Sequence, residues 1–264
     1  MKAYIVFGIV LFTDVFGARP SHSQRCSKLD AGTTNSTPFH VYTLCSIAID
    51  CLQMLRPAVL QWQQYAVNIE KNVTVVLQGV DLQDPRFAEA ENILQSLQLP
   101  VQRIKKWVGS YSSVERRTFM DKIQHEFKGW IVEADIDEFP ILPTKNLQGL
   151  LQNMSLMGNN LLPGIMVDRL SPDGRLDNNM NGNPLAFFSV WCDLAQGILY
   201  QEQTGRSDYM TKAIAWDKRA GINICNGCGG RHLSYVGPKM FVRTLPRNQF
   251  LPIAHIKWWG DASQ

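Results

Sequence analysis

Between Phe39 and Val132 the spacing of the apolar residues switches repeatedly, and this alternation restricts the possible folds more than any other feature of the chain. Phe39 to Ile47 reads as a strand, and Val73 to Leu77 as a short β-branched one. Between them, Cys51 to Val67 places Leu52, Leu55, Val59, Leu60 and Trp62 at helical spacing. Phe87 to Leu97 reads as a second helix ended by Leu99-Pro100, and Val101 to Val108 as the next strand. A third helix fits Val114 to Phe127, with Phe119, Met120 and Ile123 on one side, and Gly129 stops it before Trp130-Ile131-Val132. Strand and helix alternating at these lengths make βαβ units. The predicted fold class is therefore α/β, with a mostly parallel central sheet and helices on both faces.

The strand at Trp130 runs straight into Glu133-Ala134-Asp135-Ile136-Asp137-Glu138-Phe139. In open parallel sheets ligands gather beyond the carboxyl ends of the strands, so this cluster stands where a site is expected. If the segment stays extended, Asp135 and Asp137 share a face and Ile136 points into apolar packing. Two carboxylates that close resist joint ionisation unless a cation lies between them. Mg²⁺ or Mn²⁺ suits the position, since these ions take carboxylate oxygens at about 2.0 to 2.2 Å and complete their shell with phosphate oxygens and water. A calcium loop of the EF-hand type is excluded, because the later Asp, the Gly and the distal Glu are missing. A chain of 264 residues buries roughly three quarters of its unfolded surface, so it needs no metal merely to fold.

These residues resemble the metal-dependent glycosyltransferases of the GT-A fold, in particular a family 2-like group with an Asp-x-Asp-Glu-Phe strand end. The resemblance extends to Trp107-Val108-Gly109, Gly129-Trp130, Asp168-Arg169 followed by the turn at Gly174, and the late His255-Ile256-Lys257-Trp258. It spans about Phe39 to Trp259. It implies transfer of a sugar from a nucleotide-diphosphate donor, a UDP- or GDP-sugar, to a glycan, protein or lipid acceptor. It also implies that Asp135, Asp137 and His255 hold Mn²⁺ or Mg²⁺. Lys257 then reaches a donor phosphate, and His232, beside Gly229 and Gly230, lies on the donor side. For an inverting displacement Asp168 is the candidate base, with Asp193 and Glu138 as competitors. The Asn-Glu pair that such proteins often carry after the first strand is replaced here by Cys45-Ser46-Ile47, with Asp50 as a possible nucleotide-facing substitute.

Past Pro143 a helix is expected over Leu147 to Met157 and strands over Gly164 to Asp168 and Pro252 to Trp258, the last able to return beneath the sheet edge. Leu185 to Leu194 is apolar and of undecided type. Residues 1–23 are ordered like a secretory signal peptide: Lys2, the apolar run Ala3 to Phe12, then small residues near Gly17. The run is too short for a spanning helix, so no stable membrane anchor is expected. Residues 24–38 read as a flexible lead-in and 39–264 as a single catalytic domain. Six cysteines and sequons at Asn35, Asn72 and Asn153 suit the secretory lumen, Golgi or ER, or secretion; an uncleaved leader would mean the cytoplasm. Cys225-Asn226-Gly227-Cys228 lacks a second pair and reads as disulfide-forming rather than zinc-binding. A net charge of +3, from 26 basic and 23 acidic residues mixed along the chain, argues against nucleic acid. The rival reading is a secreted, catalytically silent carbohydrate-binding protein of the same fold. A phosphotransferase is disfavoured for want of a nucleophilic Asp-x-Asp near the first strand.

Overall fold

A computed structural model describes residues 37–47, 51–170, 190–192, 211–226, 233–236 and 250–256. Its first half follows the alternation: β1 (Phe39–Ser46), α1 (Leu52–Gln63), the short α2 (Ile69–Asn72), β2 (Val73–Gly79), α3 (Pro85–Ser96), β3 (Ile104–Val108), α4 (Ser113–Gln124) and β4 (Trp130–Asp135). There follow β5 (Glu138–Pro140), α5 (Leu147–Leu156), β6 (Leu161–Leu170), β7 (Val190–Cys192), β8 (Thr211–Asp217), β9 (Asn223–Asn226), β10 (Leu233–Val236) and β11 (Leu251–His255). Side-chain caps set the helix starts. Asp84 accepts from the Arg86 amide ahead of a Pro at the first turn, Ser112 from Glu115, and Asn146 from Gly149.

The large sheet has the order β3-β2-β1-β4-β8-β6-β11-β5, with β7 added on β6, while β9 and β10 pair separately. β1, β2, β3, β4, β6 and β11 run one way, and β5, β7 and β8 run against them. The sheet is thus mostly parallel. The antiparallel β8 joins its two parallel parts, β3-β2-β1-β4 and β6-β11.

Alternation along each strand divides the interior in two. Val41 and Cys45 of β1, Val75 and Leu77 of β2, and Trp130, Val132 and Ala134 of β4 pack with Leu55, Val59, Trp62, Phe87, Leu94, Leu151 and Met154 from α1, α3 and α5. Tyr42, Leu44, Val76 and Ile131 face the other way, toward Met120 of α4, with Trp107 and Trp216 in the same layer. Helices therefore cover both faces. Each fully buried large side chain contributes about 1.5–3 kcal/mol relative to exposure, so the first layer supplies most of the apolar stabilisation.

Gly129 lets β4 begin where it does: a Cβ there would lie 2.4 Å from the Pro38 carbonyl oxygen, which also accepts the Trp130 amide at 2.9 Å. β11 lies one strand in from the sheet edge, parallel to β6 and antiparallel to β5, because the chain turns after β4 and sends β5 out to cover it. Cys45 and Cys51 form a disulfide that ties the end of β1 to the start of α1. Among the described residues no helix is long and apolar enough to cross a membrane. The signal-peptide and lead-in expectations fall on residues 1–36, outside the described set, apart from the last two residues of the lead-in.

Candidate active site

The alternation that sends Trp130, Val132 and Ala134 into the larger core sends Glu133 and Asp135 to the opposite face, where α4 lies. Arg116 occupies the buried side of α4, four residues before Met120 and eight before Gln124, so one helical stripe meets the strand. Its Nη2 donates to Glu133 Oε1 at 2.9 Å and to Asp135 Oδ1 at 2.7 Å, and its Nη1 donates to Asp135 Oδ2 at 3.2 Å and to the Tyr111 hydroxyl at 3.1 Å.

A second cation comes from β8. Lys212 Nζ donates to Asp135 Oδ2 at 3.0 Å and to Glu138 Oε2 at 2.5 Å. The register of β6 against β8 skips Ile214, leaving a bulge two residues from Lys212. Bulges re-aim neighbouring side chains, and this one adjoins the lysine that crosses to β4. Three carboxylates, those of Glu133, Asp135 and Glu138, face two cations here. Burial alone would raise Asp135, but the charges and hydrogen bonds of Arg116 and Lys212 outweigh it and hold its pKa well below the usual carboxylate range. The surplus negative charge falls on Glu138, which burial, together with Asp135 and Asp137, pushes upward against the pull of Lys212 and His255. Burial opposes the charge on Lys212, yet Asp135 and Glu138 raise its pKa above the ordinary lysine value.

The segment does not stay extended. β4 ends at Asp135, Ile136 and Asp137 form a turn, and β5 leaves to pair with β11. Asp135 therefore turns toward Arg116 and Lys212, while Asp137 meets His255, with His255 Nε2 at 3.6 Å from Asp137 Oδ2. Backbone bonds hold the turn: the Ile136 amide donates to the Leu44 carbonyl and the Ile256 amide to the Asp137 carbonyl, each at 2.9 Å. Ile136 is buried in the larger core, as its apolar character predicts.

Asp137 and His255 present one carboxylate oxygen and one imidazole nitrogen, donors of the kind a divalent ion takes, and the Asp137 side chain is 33% exposed. Two donors sharing an octahedral ion at about 2.1 Å stand about 3 Å apart, a small closure from the separation present. Among the described residues no three His, Cys, Asp or Glu side chains are placed to hold a metal ion together.

Strand register brings the backbone of Asp168 beside His255, and His255 beside Glu138. Asp168 thus sits at the same end of the sheet as the acidic turn. Glu138, a competitor for the base, is buried under Lys212. His232, Lys257, Asp193 and Asp50 lie outside the described residues. At the ends of β1 and β2, Ser46 donates to Gln78 Oε1 at 2.5 Å and Gln78 Nε2 donates to the Gly109 carbonyl at 2.7 Å, which extends the polar rim. Trp107 and Trp130 are packing residues; Trp107 stacks on Phe119 at 6.0 Å, and Trp130 is fully buried and donates to Ser155. Asn72 of the second sequon donates its side-chain amide to the Phe39 carbonyl at 3.0 Å.

Sequence reading missed Arg116 and Lys212. The signal for Arg116 was its place one helical turn before Met120; the signal for Lys212 was a lone charge opening the apolar run Ala213-Ile214-Ala215-Trp216.

No protein family model matches the sequence, and no curated protein matches it. Among solved structures, S. aureus TarS is similar over 52% of this chain with 12% identity and a TM-score of 0.30; the chain spans 22% of the length of TarS. The 4-diphosphocytidyl-2C-methyl-D-erythritol synthase from Anaerococcus prevotii is similar over 68% of this chain and 70% of its own, with 12% identity and a TM-score of 0.32. Both superpositions are loose, so the reading of the site rests on its own geometry.

Proposed function

We propose that the chain is a glycosyltransferase of the GT-A type that takes a sugar from a nucleotide-diphosphate donor. One observation carries the reading: an acidic turn at the end of a central parallel strand, set against His255 from a strand paired next to it. In this proposal the donor, a UDP- or GDP-sugar, lies across the ends of β1, β2 and β4. Asp137 and His255 would hold Mn²⁺ or Mg²⁺, with Asp135 fixing the turn that carries Asp137. The ion would supply the positive charge that a departing nucleotide diphosphate needs. Lys257 and His232 are proposed contacts to the donor phosphates.

Asp168 is the proposed base, since its register beside His255 puts it at the same strand ends. It would take the proton of the acceptor hydroxyl as that oxygen bonds to the anomeric carbon. The bond from that carbon to the donor phosphate oxygen breaks, and the configuration inverts. The acceptor would be a glycan, protein or lipid. The Cys45–Cys51 disulfide favours an oxidising lumen as the working compartment.

A second reading, a catalytically silent carbohydrate-binding protein, is favoured by the lack of three converging metal ligands among the described residues. Calorimetry with UDP and GDP, with and without Mn²⁺, separates the two. Nucleotide binding that needs Mn²⁺ and disappears in Asp137→Ala supports the transferase. Absence of nucleotide binding under all conditions leaves the silent protein.

A further inference from the structure

We propose that Lys212 is a positioning residue: it clamps the two ends of the Ile136–Asp137 turn and so sets where the Asp137 carboxylate stands relative to His255. The inference rests on the reading above for what Asp137 binds, and on geometry alone for the clamp.

Lys212 is 2% exposed at its side chain, and a lysine so buried is a poor source of stability, because desolvation offsets most of what its ion pairs return. Its ammonium reaches Asp135 before the turn and Glu138 after it. The Glu138 carboxylate closes the loop by accepting the Asp135 amide at 3.0 Å through the same Oε2 that takes the lysine proton. One ammonium therefore holds both ends of a two-residue turn. Arg116 also holds the Asp135 side chain, and two further restraints act on the backbone, between Leu44 and Ile136 and between Ile256 and Asp137. Ile256 follows His255 directly, so the bond that fixes the Asp137 carbonyl also ties the turn to the strand carrying the imidazole. With both ends and both peptide groups held, the Asp137 side chain is the part left to meet a ligand. Residues that orient a ligand from behind typically alter metal affinity by about 10–100-fold when removed, which sets the expected effect.

The test uses the full chain and the double variant Lys212→Met/Glu138→Gln, which removes one positive and one negative charge together and leaves Asp135 with Arg116. Three quantities are read: hydrogen exchange at the amides of residues 136–138, Mn²⁺ affinity by calorimetry with UDP present, and UDP affinity without metal. Exchange is expected to quicken at least about tenfold and Mn²⁺ affinity to fall about tenfold, with metal-free UDP affinity within about twofold. Leu94→Ala, a core variant in α3, is the control and is expected to leave Mn²⁺ affinity unchanged and to quicken exchange at the turn no more than in the rest of the sheet. Should the double variant not fold, Lys212→Arg carries the same test with a smaller fall, about threefold, because the wider planar guanidinium does not fit the space that the compact ammonium fills between Asp135 and Glu138. Wild-type exchange across the turn in a folded variant overturns the clamp. Wild-type protein that binds neither UDP nor Mn²⁺ removes the transferase reading instead, and the exchange measurement still decides the clamp.

Discussion

On one face of the sheet Val41, Val75, Val132 and Ala134 meet α1, α3 and α5 through apolar contacts; on the other, Glu133 and Asp135 of the same strand as Val132 meet Arg116 and Lys212. The first face is an ordinary core, tolerant of shape-conserving change. The second is a core in which charges are buried against one another, three carboxylates facing two cations, and each member is held there by the others. One strand, β4, supplies both. The lesson is that a central strand can read as uniformly buried and still present a site, because period-two alternation hands every second residue to a different neighbour.

The largest expected effect follows from breaking that set. Arg116→Leu leaves Glu133 without its cation and Asp135 with only Lys212, and removing one partner of a buried pair costs about 3–5 kcal/mol. Urea unfolding should show that loss together with loss of Mn²⁺-dependent nucleotide binding. A variant as stable as wild type would mean that the second face is wet rather than buried. Next comes Leu55→Ala on the first face, a fully buried residue whose truncation costs about 2–5 kcal/mol. The contrast is in function: its metal and nucleotide affinities should stay at wild-type values, and a fall in either would show that the two faces are coupled.

How far the chain could be read from its sequence follows the same division. β1, β2, β4, α1, α3 and α4 were legible because each carries its own period of apolar residues, a local property. β8 was not, since Thr211–Asp217 opens with polar Thr211 and Lys212, and its pairing between β4 and β6 is decided by residues far away in the chain. β5 is three residues long and has no period to detect. At the site, Asp135 and Asp137 stood out as a motif, and Asp137 does meet His255 across the strand pairing. Arg116 and Lys212 did not stand out. They lie 19 and 77 residues from Asp135, and a basic residue on a helix or strand reads as solvent-facing until its partner is known.

A smaller effect sits at the seam between strand and helix. Reducing Cys45–Cys51 opens a short loop whose closure stabilises the fold by roughly 2 kcal/mol on chain-entropy grounds. Thermal unfolding with and without dithiothreitol, compared with Cys45→Ser/Cys51→Ser, measures it. Because the bridge follows β1 at the rim where the donor is proposed to lie, reduction should also weaken nucleotide binding; unchanged binding would remove this loop from the donor site.

The smallest effect concerns a second way of burying a polar group on the α4 face. At the far end of β1 from the acidic turn, His40 packs against Tyr42 and Phe127, its Nε2 2.8 Å from Thr74 Oγ1. Among the described residues no carboxylate balances it. Burial first, and then the charge of Arg103, lower its pKa from 6.5 to about 3, so it is buried neutral, where Asp135 is buried charged. The sign follows from proton counts. Below pH 6.5 the unfolded chain binds a proton at this position that the folded chain refuses until about pH 3, so the stability due to His40 is complete above 6.5 and declines as the pH falls. Between pH 7 and 5.5 the expected loss is about 1 kcal/mol, a window in which most carboxylates stay ionised. Urea unfolding of wild type and His40→Gln at both pH values isolates it: the slope should flatten in the variant even though the variant also loses the Thr74 bond. Equal slopes would place the imidazole in contact with water.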